Sequence, residues 1–152
     1  MELQFTLNGK KVHRSVQADG LLLDVVREMG CFSVKRGCET SNCGLCTVLL
    51  NGKPVLSCST LAVRAEGGEV MTLEGLQEEA ALFGSFLAGE GAEQCGFCSP
   101  GLIMNVLAME KELSNPNEEE IKEYLAGNLC RCTGYMGQMR AIVKYLNREG
   151  RR

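Results

Sequence analysis

Histidine occurs once in this 152-residue chain, tryptophan is absent, and no excess of positive charge appears: sixteen Lys and Arg stand against nineteen Asp and Glu, for a net charge of −3. The lone His13 falls in an alternating segment and reads as an exposed strand residue rather than a metal ligand or proton carrier. No nucleophile–base pair stands out, which argues against a substrate-converting site in this chain. A net negative charge without a basic stripe excludes nucleic acid as a natural partner; Arg148, Arg151 and Arg152 read as a solvated helix end. No stretch approaches the roughly 20 apolar residues of a membrane span. Met1 to Asn8 alternates polar and apolar residues without the apolar core of a signal peptide, so a cytoplasmic location is expected. The glycine pairs, including those in GEGAEQCG, lack the strand–GxGxxG–helix setting that a dinucleotide requires.

What the chain has is cysteine, nine in all. Eight fall into two groups of different rhythm. Cys38, Cys43, Cys46 and Cys58 are spaced C-x4-C-x2-C-x11-C, and Cys95, Cys98, Cys130 and Cys132 are spaced C-x2-C-x31-C-x-C. Four thiolates complete the ligand shell of one [2Fe–2S] cluster, and the first spacing is that of plant-type ferredoxins. Each group therefore supplies one shell. Cys31 is left over, at a helix end before Phe32, and reads as a buried structural thiol. A disulfide framework is the less favoured alternative, since tight C-x2-C and C-x-C groups without a secretory signal point to metal. Structural zinc also accepts four cysteines, but its sites favour two short pairs, unlike C-x4-C-x2-C.

Each oxidised cluster with four thiolates carries about −2, which takes the formal charge toward about −7. Lys35, Arg36 and Arg131 lie beside ligands, where they can offset that charge; the alternative is that they are ordinary exposed loop charges, a reading of equal weight for Lys35. Gly37, Gly44, Gly96 and Gly134 flank the ligands, as a chain curling around a cluster demands. Backbone N–H groups donated to cluster sulfurs raise a reduction potential by stabilising the added electron.

The first half reads as strands around one helix. Leu3, Phe5 and Leu7 alternate, Asn8-Gly9 turns, and Val12 and Val16 resume, giving a hairpin over 2–16. Leu22, Val25, Val26 and Met29 follow helical spacing behind a potential Asp19 cap, and Gly30 ends the helix. Thr47 to Leu50 and Pro54 to Leu56 flank Asn51-Gly52 as a second hairpin, and Glu69 to Leu73 suggests a further strand. From Gln77 the period becomes helical, with helices expected at Glu78–Ala88, Pro100–Leu113, Glu118–Ala126 and Gly137–Asn147. Asn117 caps the third, with three glutamates in its first turn. Met104, Met109, Met136 and Met139 read as core filler. The expected class is α+β, with a ferredoxin-like half over 1–75 and a helical half over 76–152.

The runs GCETSNCGLCTV (37–48), SC (57–58), QCGFCSPGLIM (94–104) and GNLCRCTGY (127–135), in this order and spacing, resemble the iron–sulfur subunit of the xanthine dehydrogenase and molybdenum hydroxylase family. The resemblance covers nearly the whole chain. It implies a plant-ferredoxin-like β-grasp domain followed by a four-helix domain, each holding one [2Fe–2S] cluster. It also implies a large molybdenum–pterin subunit beside the C-terminal cluster and a flavin subunit beside the N-terminal one. Gln94 and Cys132 match positions that approach the pterin. The expected role is an electron relay from molybdenum to flavin in a complex acting on a purine, nicotinate, an aldehyde or carbon monoxide. The rivals are a free two-cluster ferredoxin and a zinc-stabilised interaction domain. One departure stands out: relatives carry glycines where this chain has Glu39 and Ser41, so the first ligand loop is bulkier and bears an extra carboxylate.

Overall fold

The computed structural model describes residues 1–150. Two Asn-Gly pairs shape the N-terminal sheet. Strands β1 (Glu2–Leu7) and β2 (Lys10–Ser15) join through Asn8 and Gly9, both at positive φ (49° and 77°), the twist that a two-residue hairpin needs. Strands β3 (Thr47–Leu50) and β4 (Lys53–Leu56) join in the same way through Asn51 and Gly52. Strand β5 (Glu69–Met71) lies between the two hairpins, parallel to β1 and antiparallel to β3, in the order β2-β1-β5-β3-β4. It is shorter than the Glu69 to Leu73 segment expected, because Leu73–Gly75 turns as a 3-10 helix. His13 lies exposed on β2, within 3.2 Å of Glu2 on β1.

Helix α1 (Leu22–Glu28) covers one face of this sheet. Its Leu22, Leu23, Val25 and Val26 pack with Leu3, Phe5, Leu7, Val48 and Val70 into one apolar core. Asp19 does not cap it. The cap position is Leu21, and the Leu22 N–H is instead satisfied by the Thr60 carbonyl at 2.8 Å, from the segment that follows β4. Gly30 does end it, at φ 91°.

Four helices form the second half: α2 (Gln77–Gly89), α3 (Ser99–Glu112), α4 (Glu118–Tyr124) and α5 (Met136–Leu146). Helix α3 is the central rod, with Leu102, Ile103, Val106, Leu107 and Met109 buried. Tyr145 of α5 meets Phe83 edge-on at 5.0 Å and donates its hydroxyl to Glu110. Asn117 caps α4 through a full capping box with Glu120. Two readings need correction. Met104 and Met109 are buried, but Met136 is 67% exposed at the start of α5. Arg148 is not a solvated end: it bonds Glu110 at 2.6 Å and stacks over the Tyr145 ring; Arg151 and Arg152 lie outside the described residues.

The two halves are joined by close packing. Leu49 of β3 meets Met104 and Ala108 of α3. Gly101, in the first turn of α3, sits on Gly44, where an added Cβ would lie 2.3 Å from the Gly44 carbonyl oxygen. Asn105 donates to Asn128 at 2.6 Å and to Thr47 at 3.3 Å, closing the polar part of the seam. Among the described residues, no helix is long and apolar enough to cross a membrane.

Candidate cluster-binding sites

The first quartet sits at the rim of the sheet. Cys38 and Cys43 lie on the loop between α1 and β3, Cys46 directly precedes β3, and Cys58 follows β4 in a 3-10 turn. The loop is held at both ends: the Lys35 N–H donates to the Leu45 carbonyl, and the buried Ser57 hydroxyl donates to the Cys46 carbonyl at 2.6 Å. Backbone N–H groups of Cys43, Thr40 and Asn42 converge on the Cys38 sulfur and hold its pKa down at about 6. Loss of solvation instead pushes the buried Cys46 thiol up to about 11. A thiol placed like Cys46 becomes an anionic ligand when a metal supplies the compensating charge.

The second quartet sits where the helices of the bundle begin. Cys95 and Cys98 lead into α3, and Cys130 and Cys132 lead into α5. The loop from 130 to 135 closes on itself: the Cys130 N–H donates to the Tyr135 hydroxyl, and the Thr133 hydroxyl donates to the Cys130 sulfur at 3.1 Å. Tyr135 holds φ 70°, a left-handed turn that reverses the chain into α5. The Phe97 N–H points at the Cys95 sulfur, and the Gln138 side chain reaches the Cys98 sulfur at 3.7 Å.

Within each quartet the thiols fall into pairs. Cys38 neighbours Cys43, Cys46 neighbours Cys58 and Cys98 neighbours Cys130, and the Cys95 and Cys132 sulfurs are 3.5 Å apart. Among the described residues, no three His, Cys, Asp or Glu side chains converge as a single-ion site. One tetrahedral zinc draws four donors to a point, whereas a two-iron cluster takes two thiolates at each iron. Two pairs fit the second geometry. No disulfide links any of the nine cysteines, and the buried Cys31 thiol lies near Asn8 and Thr72.

The structure also joins what the sequence kept apart. Cys38 and Cys43 share one cleft of about 420 Å³ with Cys95, Cys98, Cys130 and Cys132. The Leu129 N–H donates to the Cys43 carbonyl at 2.9 Å, so one hydrogen bond separates a cysteine of the first quartet from the neighbour of Cys130. Gln94, Cys95 and Cys132 all lie on the exposed side of the second quartet, while Cys98 and Cys130 are half-buried.

Of the three cations beside the quartets, Arg36 bonds Asp24 at 2.8 Å and lies 3.8 Å from Glu39, so it partly neutralises the extra carboxylate. Arg131 lines the shared cleft. Lys35 turns away from its own loop toward Phe97. Residue reading missed Gln138 and Tyr135. Gln138 had a signal: it is the polar member of an apolar stripe with Ala141, Ile142 and Tyr145 on α5. Ser41 adopts φ 57°, the left-handed region that favours glycine, and its hydroxyl lies 3.6 Å from the Cys58 sulfur.

Comparison with known proteins agrees with this geometry. Residues 5–80 match the 2Fe-2S iron-sulfur cluster binding domain and residues 72–143 the [2Fe-2S] binding domain, so each half is assigned one cluster. The small FeS subunit of nicotinate dehydrogenase from Eubacterium barkeri is 40% identical over 146 residues, covering 94% of this chain and 92% of that protein. The iron-sulfur-binding subunit of xanthine dehydrogenase from Escherichia coli O157:H7 is 45% identical over 140 residues, 88% of this chain and 86% of that one. The crystal structure of quinoline 2-oxidoreductase from Pseudomonas putida 86 superposes with a TM-score of 0.88 at 38% identity, over 96% of this chain and 93% of that one. Likeness that runs through both cysteine quartets and nearly the full length of each partner, rather than over one ligand loop, shows that the chain belongs to the iron–sulfur small subunits of the xanthine dehydrogenase and molybdenum hydroxylase family.

Proposed function

We propose that the chain relays single electrons from a molybdenum–pterin catalytic subunit toward a flavin subunit. In this reading Cys38, Cys43, Cys46 and Cys58 hold one cluster in the ferredoxin-like half (1–75), and Cys95, Cys98, Cys130 and Cys132 hold the other in the helical half (76–152). A bound [2Fe–2S] cluster supplies a centre that accepts and releases one electron at a time. The observation that carries the reading is the Leu129–Cys43 hydrogen bond, because it gives the two quartets a continuous bonded connection one residue from Cys130.

The chain's own residues set the order of the relay. Gln94 and the exposed Cys95–Cys132 pair form the face offered to the pterin. Cys98 and Cys130, held by Gln138 and Thr133, sit behind that face. The Cys130–Leu129–Cys43 link leads to the Cys38–Cys43 pair, and Cys46 and Cys58 stand at the far side, beside the exposed loop of Glu39 and Ser41. That loop is the surface proposed for the flavin partner. A thiolate-rich chain of this kind suits the reducing cytoplasm.

The test uses the assembled complex under anaerobic conditions. In the native enzyme, substrate reduces both clusters. In Cys132→Ser, substrate no longer reduces the N-terminal cluster, although dithionite still does. Undiminished reduction of the N-terminal cluster by substrate in that variant would exclude the relay. Isolation of the native chain free of any molybdenum-containing subunit would favour a diffusible ferredoxin instead.

A further inference from the structure

The side chain of Lys35 belongs by sequence to the first ligand loop, three residues before Cys38, yet it crosses to the second. Its ammonium donates to the Phe97 carbonyl at 3.2 Å and lies 4.6 Å from the centre of the Phe97 ring. Phe97 occupies the middle of the C-x2-C loop, between Cys95 and Cys98, and its own N–H is 3.5 Å from the Cys95 sulfur. Lys35 is partly buried along its stem while its ammonium meets Phe97 at the surface, so two contacts rather than burial hold the charge in place. At its other end, the Lys35 N–H is fixed to the Leu45 carbonyl. No carboxylate is paired with its ammonium in the described ion pairs, whereas Arg36 is paired with both Asp24 and Glu39.

From this geometry we infer that Lys35 is a positioning residue for the C-terminal cluster: it clamps the Cys95–Cys98 loop from the opposite half and fixes a positive charge beside it. The inference rests on the ligand assignment proposed above. A site that gains an electron becomes more negative, and a nearby fixed cation stabilises that state. Lys35 therefore raises the reduction potential of the C-terminal cluster and makes it a better acceptor on the face where electrons enter. Because the cation comes from the N-terminal half, a displaced ferredoxin-like half withdraws it. Efficient electron uptake is thereby tied to correct docking of the two halves. The aromatic ring adds a second hold: a cation over its face is attracted without losing the carbonyl bond.

The test is a redox titration of the full chain, followed by the electron paramagnetic resonance signals of both clusters, with the C-terminal signal identified as the one lost in Cys132→Ser. Lys35→Met keeps the aliphatic packing and removes the charge; the C-terminal midpoint shifts to lower potential, and by more than the N-terminal midpoint. Lys35→Arg restores the wild-type value. Phe97→Leu, which retains the carbonyl acceptor, shifts it less than Lys35→Met. If Lys35→Met moves the N-terminal midpoint alone, or neither, the inference is wrong while the ligand assignment stands. If Cys132→Ser abolishes neither signal, the ligand assignment itself fails and the inference falls with it.

Discussion

At the scale of single residues, the first ligand loop combines a strained backbone with an added carboxylate. Ser41 holds a left-handed backbone that costs a residue with a Cβ about 1 kcal/mol relative to glycine. Ser41→Gly is expected to raise the stability of the cluster-loaded chain by up to about that amount, read as a higher urea midpoint; a lower midpoint would mean that the contact with the Cys58 sulfur matters more than the strain. Glu39 is 82% exposed at its side chain and close to Arg36. Glu39→Gly is therefore expected to raise the N-terminal cluster's potential only slightly, because solvent and Arg36 already screen the carboxylate. A fall in that potential would contradict the electrostatic account. Cys31 is buried in the core of the sheet, in the same apolar cluster as Cys46, with its thiol beside Asn8 and Thr72. Cys31→Ala is expected to leave iron content unchanged while costing about 1 kcal/mol from the cavity left behind. Loss of half the iron would show that a ligand has been misassigned.

At the scale of elements, the sequence was most informative where one local interaction decides the outcome. Both Asn-Gly turns, the alternation of Leu3, Phe5 and Leu7, and the Asn117 box each depend on residues a few positions apart, and each forms as expected. The helices of the second half start and end within two residues of expectation; the largest gap is at α4, which stops at Tyr124, where the following residues turn toward Cys43 and the Leu129 bond. What the sequence hid are decisions made by distant partners. The Thr60 carbonyl displaces Asp19 as the cap of α1, and β5 inserts between β1 and β3 through pairings of high sequence separation. The eight candidate ligands were readable from spacing. The shared cleft and the reach of Lys35 were not, because both depend on how α3 seats against β3.

That seating yields the next prediction. At Gly101 an added Cβ would lie 2.3 Å from the Gly44 oxygen, and the obstacle is backbone rather than a flexible side chain. Gly101→Ala is expected to destabilise the chain by about 2 kcal/mol or more and to weaken the coupling between the clusters; an unchanged melting curve would show that the seam is slack. A second seam is sensitive to pH. Glu74 accepts from the Ser33 N–H, the Ser33 hydroxyl and the Thr72 hydroxyl, tying the end of the sheet to the segment after α1. Burial raises its pKa, but these bonds outweigh burial and leave it below the ordinary value. A folded-state pKa that is lowered contributes stability above the unfolded pKa and loses it as pH falls through the folded one. The gap in urea midpoint between wild type and Glu74→Gln is therefore expected to be widest near neutrality and to shrink toward about pH 4. A gap independent of pH would remove the carboxylate from the explanation.

At the scale of the molecule, two apolar cores are joined by one narrow seam, and the cysteine quartets flank it. Small cores supply limited stability, so cluster ligation ties loops that packing alone leaves weakly held. The bundle in particular closes its second quartet across residues far apart in the chain, Cys98 and Cys130. Under the proposed relay, the exposed thiols at one face and the bonded link inside give electron flow a direction, which a structural metal site has no need of. Everything rests on the two quartets each holding a two-iron cluster. The most direct measurement is iron, acid-labile sulfide and zinc analysis of the native chain, together with spin quantitation after full reduction. The account predicts about four irons and about four sulfides per chain, with two distinguishable signals that integrate to about two spins. Zinc without sulfide, or one signal integrating to a single spin, would contradict it.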